Sequence, residues 1–206
     1  MKDIIYYSII GGLFLLNIVS LYRQRKKDNI SYRIVLFTRH KDWLLAFGLV
    51  VAVISLLVLI EPYIPQFLRF GLFSLLDKGG TNANVEIIKQ SSSISILLML
   101  VVFAILMLLV PKAAMWEEEK FRYGITELKK SIFTNVKFGM LHCLVGVPIW
   151  IGIVLIFIGF AYTLKYLSTY KKYKDHDLAV WSSTSLHGKY NVILIVLLAI
   201  ALITTT

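Results

Sequence analysis

Long apolar segments separated by short charged stretches form the main pattern of this chain of 206 residues. The clearest segments have about 17 to 25 residues, the length that an α-helix needs to cross the hydrocarbon core of a bilayer. Two of them, Trp43–Ile60 and Ile94–Val110, contain no charged residue. The pattern predicts an all-α fold, a polytopic transmembrane helical bundle of about six spans. The predicted spans are Ile4–Tyr22, Trp43–Ile60, Ile94–Val110, Ser131–Val145, Ile149–Leu167 and Ala179–Ile203.

The segments between the spans are shorter and more polar. Gln66–Leu76 is aromatic and amphipathic, which predicts a helix lying along the membrane surface. Lys78–Ser93 is predicted to be a loop, and Tyr170–Asp177 a basic link. Pro111 is predicted to end the third span, and the charged stretch Ala113–Lys130 after it is predicted to be helical. Because no repeat or second domain is visible, residues 1–206 are predicted to form a single integral membrane domain.

Composition supports the membrane assignment. Hydrophobic residues make up 58% of the chain and charged residues 17%, with a mean hydropathy of +0.75. Soluble domains carry about 25% charged residues. These values exclude a soluble enzyme, a secreted domain and a disordered regulator. The single cysteine, Cys143, excludes an internal disulfide and is predicted to be a buried, unreactive thiol.

The net charge of +10 is best explained by membrane topology. Most basic residues lie between the spans, and alternate connections are rich in them, so we expect no nucleic-acid partner. The positive-inside rule then predicts that both termini lie outside and that a Glu-rich stretch after span three lies at the cytoplasmic face. The basic residues of the rich connections are Arg23, Arg25, Lys26, Lys27, Arg33, Arg39 and Lys41, then Lys112, Lys120, Arg122, Lys129 and Lys130, then Lys171, Lys172 and Lys174.

Three groups of polar or ionisable residues fall within or beside the apolar spans. Such residues are costly in a membrane and often mark functional sites, although each group also fits a structural role, as a solvated acidic face or as polar contacts between helices. Within each group, residues four apart lie on one face of a helix. The groups are Glu117, Glu118 and Arg122, then Phe138 and His142, then His187 and Asn191.

In chain order these groups, with Phe121, read E-E-x-x-F-R, F-x-x-x-H and H-x-x-x-N. This order resembles the CPBP family of intramembrane proteases, which includes the CAAX-prenyl proteases, bacteriocin-processing enzymes and Abi-like proteins. The resemblance covers about residues 113–203. Where the family pattern has F-R-G, this chain has Phe121, Arg122, Tyr123 and Gly124.

The resemblance implies an intramembrane endopeptidase that hydrolyses a peptide bond of a membrane-associated substrate. By this resemblance Glu117 is the base that activates a water, His142 helps to hold that water, and His187 and Asn191 donate hydrogen bonds to the oxyanion. His187 lies about 12 Å inside its predicted span, whereas Glu117 follows Pro111 closely. The helix that carries Glu117 must therefore enter the bundle, or the bundle must contain a cytoplasm-facing cavity.

The remaining motif residues have supporting roles by the same resemblance. Glu118 and Arg122 support the site, and Phe138 shapes the wall of the pocket. No cofactor is expected. A glutamate and two histidines could bind zinc, but the chain has no H-E-x-x-H spacing, so a metal is not favoured.

Two other functions fit the same pattern. One is a non-catalytic CPBP-like subunit that acts as an assembly or scaffold factor in a larger membrane complex. The other is a small transporter or channel whose buried polar residues line a path, although no inverted repeat is visible.

Overall fold

The computed structural model describes residues 40–71, 93–144 and 146–205. This part of the chain is all-helical, which confirms the prediction of an all-α fold. Span Ile4–Tyr22 and nearly all of the predicted loop Lys78–Ser93 lie outside it. The five α-helices are α1 His40–Ile60, α2 Ser93–Arg122, α3 Ile132–Leu144, α4 Ile149–Tyr173 and α5 His176–Thr205, with short 3-10 helices at Glu61–Tyr63, Gln66–Arg69 and Lys129–Ser131.

Three of these helices, α1, α4 and α5, are long and apolar enough to cross a membrane. This indicates an integral membrane protein and agrees with three of the predicted spans. Helix α1 exposes most of its apolar side chains; Leu44 is 77% exposed and Leu59 is 69% exposed. An apolar outer surface of this kind suits contact with lipid.

Helix α2 continues through Pro111, the residue that was predicted to end the third span. It runs for 30 residues without interruption and contains Pro111 in its interior. A proline lacks the N–H of one helical hydrogen bond, but membrane helices tolerate this loss because neighbouring groups satisfy the freed carbonyl. The charged stretch Ala113–Lys130 is α-helical only as far as Arg122, because Gly124 (φ 80°) turns the chain. Whether Ile94–Val110 crosses the membrane stays a prediction.

Helix α3 corrects the prediction of a full span at Ser131–Val145. It has 13 residues, which gives a length of about 20 Å, and a bilayer core is about 30 Å thick. Helix α3 instead packs closely on α4. A Cβ added to Gly139 would lie within 3.0 Å of the Gly152 carbonyl, and one added to Gly152 would meet Cys143 Sγ. Cys143 is only partly buried.

Two connecting segments also differ from the prediction. Between Gln66 and Gly71 the described backbone is a single 3-10 turn followed by extended chain, not an amphipathic α-helix. The Phe70 carbonyl accepts a hydrogen bond from the Ile149 N–H, which joins this segment to the start of α4. The predicted link Tyr170–Asp177 contains only two non-helical residues, Lys174 and Asp175.

The short link is explained by local capping. Lys174 has a left-handed backbone (φ 55°) and donates its N–H to the Tyr170 carbonyl, which ends α4. Asp175 Oδ1 then accepts the Leu178 N–H at 3.0 Å, as an N-cap residue does, and α5 begins at His176.

Helix α5 is central to the bundle, since it packs against α1, α2 and α4, while α3 packs mainly on α4. Its first half is therefore buried, which explains how a polar segment is tolerated there. The main core lies where these helices meet. Its larger buried members include Val50, Phe121, Phe138, Val154, Ile158, Tyr162, Leu186 and Tyr190.

Candidate active site

The polar residues near the end of α2 face the middle of the buried half of α5. Glu118 Oε1 lies 2.8 Å from His187 Nδ1. His187 follows the first residue of α5, His176, by eleven positions, or about 16 Å along the helix. Glu118 lies only one turn before the end of α2. The uninterrupted α2 therefore carries its acidic residues into the bundle, as the predicted site requires.

Arg122 forms a fully buried ion pair with Glu118. Its Nη1 donates to Glu118 Oε1 at 2.8 Å, and neither side chain is exposed. Its Nη2 donates to the Gly159 carbonyl at 3.3 Å. The guanidinium also lies over the rings of Phe138 and Tyr162, at 4.7 and 5.3 Å from their centroids. Arg122 therefore links α2 to α3 and α4 around a single buried cation.

The Glu118 carboxyl lies beyond the predicted span Ile94–Val110 and is fully buried by protein. Its burial acts to raise its pKa, but the Arg122 guanidinium and the hydrogen bond from His187 outweigh that effect and hold the pKa below its ordinary value. Glu118 is therefore an ionised hydrogen-bond acceptor.

Glu117 approaches the other nitrogen of the same imidazole. Its Oε2 lies 3.7 Å from His187 Nε2, and 21% of its side chain is exposed. Within the described part of the chain, this buried oxygen has no hydrogen-bond partner. A separation of 3.7 Å is too long for a direct hydrogen bond but allows both atoms to contact one small polar molecule.

His142 joins the site through Phe138. His142 Nδ1 lies 2.7 Å from the Phe138 carbonyl, which can only accept, so Nδ1 carries the hydrogen. The Phe138 ring packs edge-on against both imidazoles, at 4.8 Å from His142 and 5.8 Å from His187. Among the described contacts, no hydrogen bond joins His142 to Glu117 or His187.

Asn191 lies one helical turn beyond His187 and is partly buried. The structure therefore connects six of the seven predicted site residues by direct contacts and places Asn191 on the same face of α5 as His187. The six connected residues are Glu117, Glu118, Arg122, Phe138, His142 and His187.

The sequence analysis missed Tyr162, whose ring stacks on His187 with centroids 4.3 Å apart and planes inclined by 19°. Tyr162 is buried on α4. The available signal was the spacing of Gly159, Tyr162, Thr163 and Tyr166, which places small or polar groups on one face of an otherwise apolar helix. Thr163 on this face hydrogen-bonds with Asn135 of α3 at 3.1 Å.

The donor set does not favour a metal at Glu118. Its Oε1 is already shared by Arg122 and His187, and a bound cation would compete with the guanidinium. Within residues 40–71, 93–144 and 146–205, no group of three or more His, Cys, Asp or Glu side chains is arranged to hold a metal ion. Zinc binding stays a possibility raised by the sequence alone.

No family model, curated protein or solved structure matches this chain.

Proposed function

We propose that the protein is an intramembrane endopeptidase that uses a glutamate-activated water. The pairing of Glu117 Oε2 with His187 Nε2, 3.7 Å apart and among apolar helices, supports this proposal most directly. A carboxylate and an imidazole that both face one small space can together bind and deprotonate a water. The resemblance to CPBP proteases assigns the role of base to the same carboxylate.

The proposed reaction needs no group beyond the side chains and a water. Glu117 takes one proton from the water as the oxygen attacks the carbonyl carbon of the scissile peptide. The carbonyl becomes a tetrahedral oxyanion, to which the Asn191 amide donates a hydrogen bond. When the C–N bond breaks, Glu117 returns its proton to the leaving nitrogen, which gives one carboxylic acid and one amine.

Two further residues shape the space around the reacting atoms. The Phe138 ring, which contacts both imidazoles, forms the wall of the pocket. Because His142 Nδ1 carries its hydrogen towards Phe138, the Nε2 of neutral His142 is an acceptor, which suits the proposed role of holding the water.

The substrate is proposed to be a membrane-associated peptide or protein that reaches the site from the bilayer. The distribution of basic residues supports an orientation with both termini outside and the Glu117–Arg122 segment on the cytoplasmic side. The partly exposed Glu117 side chain then marks the side from which water enters.

The test compares membranes that contain the wild-type protein with membranes that contain Glu117→Gln. New peptide termini are identified by mass spectrometry in ¹⁸O-labelled water, which marks each newly hydrolysed carboxylate. We expect labelled termini with the wild type and a loss of at least about 100-fold with Glu117→Gln, on the scale of a missing general base.

The matched control is Glu119→Gln, which changes an exposed carboxylate two residues away and should retain cleavage. Equal labelling by wild type and Glu117→Gln would refute the mechanism. Normal cellular function of Glu117→Gln within a stable stoichiometric complex would instead support the non-catalytic subunit.

A further inference from the structure

We infer that Glu118 is a positioning residue that fixes the tautomer and orientation of His187, so that His187 acts with Glu117 on the water rather than as an oxyanion donor. The catalytic part of this inference rests on the proposed function; the tautomer does not. It changes the role that the family resemblance implies for His187, and it assigns Glu118 a task beyond its pairing with Arg122.

His187 carries its hydrogen on Nδ1 because its partner at that nitrogen is a carboxylate. Glu118 Oε1 lies 2.8 Å from Arg122 Nη1, and both side chains are fully buried. Because a guanidinium stays charged in proteins, the buried carboxylate beside it is held in its ionised form, which can only accept hydrogen bonds. The 2.8 Å contact between Glu118 Oε1 and His187 Nδ1 therefore requires the hydrogen to be on Nδ1.

Aromatic neighbours hold the His187 ring in one orientation. Tyr162 stacks on the face of His187 at 4.3 Å, and the Phe138 ring meets it at an angle of 81°. His187 itself is 3% exposed. Packing on the face and edge resists rotation of the imidazole, so Nδ1 stays at Glu118 and Nε2 stays at Glu117.

The two carboxylates lie at opposite nitrogens of His187, Glu118 at Nδ1 and Glu117 at Nε2. In its neutral form, with its hydrogen on Nδ1, His187 presents Nε2 as an acceptor. Glu117 Oε2, at 3.7 Å, is also an acceptor when ionised. Two acceptors at this distance need a donor between them, and a water has two O–H groups to satisfy both. The oxyanion contact then falls to Asn191 alone.

The first test measures the tautomer directly. Protein labelled with ¹⁵N-histidine is studied in lipid nanodiscs by long-range ¹H–¹⁵N correlation spectra, and the His187 signal is assigned by its loss in His187→Gln. We expect the wild type to show His187 with its hydrogen on Nδ1. A signal from the opposite tautomer, or from a ring with hydrogens on both nitrogens, would overturn the inference.

The second test removes the positioning group. Glu118→Leu leaves Arg122 buried and unpaired and can fail to fold, so the decisive variant is Glu118→Leu combined with Arg122→Met, since an apolar replacement of a whole buried pair is often tolerated. We expect its His187 signal to move towards a mixture of tautomers. Glu119→Gln is the matched control and should leave the signal unchanged. An unaltered His187 signal in the double variant would also refute the role of Glu118.

Activity then separates the inference from the proposed function. If the protein cleaves peptides, the folded double variant should lose about 100-fold or more in kcat with little change in KM, as expected for a misplaced catalytic imidazole. If the tautomer is as inferred and no cleavage occurs in any membrane, the positioning role stands and the protease proposal fails. If cleavage occurs but His187 carries its hydrogen on Nε2, the protease proposal stands and the positioning role of Glu118 fails.

Discussion

Glu118 and His187, which are 69 positions apart in the sequence, are joined by a buried contact of 2.8 Å between Oε1 and Nδ1. This contact fixes the register of α2 against α5, because neither side chain can move along its helix without losing its buried partner. The same register brings Glu117 to the second nitrogen of the imidazole. The candidate site is therefore a consequence of how these two helices pack.

Replacing Arg122 with methionine should destabilise the protein strongly. Arg122→Met removes the guanidinium that pairs with Glu118 and leaves that carboxylate fully buried. Breaking a buried ion pair from one side typically costs about 3–5 kcal/mol. Denaturant titration in detergent micelles, followed by circular dichroism, should show the loss as a lower midpoint.

The control for Arg122→Met is Lys130→Gln, in an exposed pair whose nitrogen and oxygen are 3.2 Å apart. Exposed pairs contribute little, so this midpoint should not move measurably. Equal midpoints for Arg122→Met and the wild type would mean that the buried pair does not hold the helices together.

The close contact of α3 and α4 should be sensitive to a single methyl group. In Gly139→Ala, the new Cβ would lie within 3.0 Å of the Gly152 carbonyl and of Ile156. Because backbone blocks the methyl group, the helices must separate, and overpacking of this kind costs about 1–3 kcal/mol. The loss should appear in the same denaturant titration and should also displace the Phe138 ring.

Gly48→Ala is the matched control for this effect. Gly48 lies on α1, and a Cβ there would meet nothing within 4 Å. Alanine favours a helix over glycine by about 1 kcal/mol, so the control should leave stability unchanged or slightly raised. A destabilisation as large as that of Gly139→Ala would show that the two glycines do not differ in packing.

Much of the architecture could be predicted from the sequence. The apolar spans at Trp43–Ile60, Ile149–Leu167 and Ala179–Ile203 correspond to α1, α4 and α5, because long apolar runs with at most one charged residue can be recognised from the sequence alone. The motif spacing also grouped the residues of α2, α3 and α5 that the structure connects, since residues four apart share a helical face.

The rest depended on contacts that local pattern does not encode. Pro111 suggested the end of an apolar span, but it does not interrupt α2, because membrane helices tolerate one lost hydrogen bond where neighbouring groups satisfy the freed carbonyl. Helix α3 is short because it ends at Leu144, just before Gly146 (φ 96°) turns the chain towards α4. Tyr162 was missed because an aromatic residue in an apolar run gives no sign that it stacks on a histidine of another helix.

Replacing Tyr166 with phenylalanine should loosen the turn that follows α2. The Tyr166 hydroxyl accepts the Gly124 N–H at 3.1 Å and lies 2.6 Å from His176 Nδ1, and the side chain is fully buried. Tyr166→Phe leaves both partners without their shared hydroxyl, which costs about 1–3 kcal/mol. Hydrogen exchange followed by mass spectrometry should show faster exchange at Gly124.

Tyr63→Phe serves as the control for the loss of a hydroxyl, since Tyr63 is 84% exposed. It should change neither the exchange at Gly124 nor the unfolding midpoint. If hydrogen exchange at Gly124 is as slow in Tyr166→Phe as in the wild type, the Tyr166 hydroxyl does not hold the turn.

The ion pair between Asp42 and Lys165 should couple α1 to α4. Lys165 Nζ lies 2.5 Å from Asp42 Oδ1, and the side chains are 20% and 1% exposed. Because the lysine retains some access to the surface, its ammonium can extend outwards when its partner is lost. Asp42→Ala should therefore lower the free energy of unfolding by less than Arg122→Met does.

In a double-mutant cycle of Asp42→Ala with Lys165→Ala, measured by denaturant titration, we expect a coupling energy of about 0.5–3 kcal/mol. The same cycle on the half-exposed pair of Glu61 and Arg69 should give a smaller coupling. If the two cycles give equal values, the buried position of Asp42 contributes nothing to the attachment of α1.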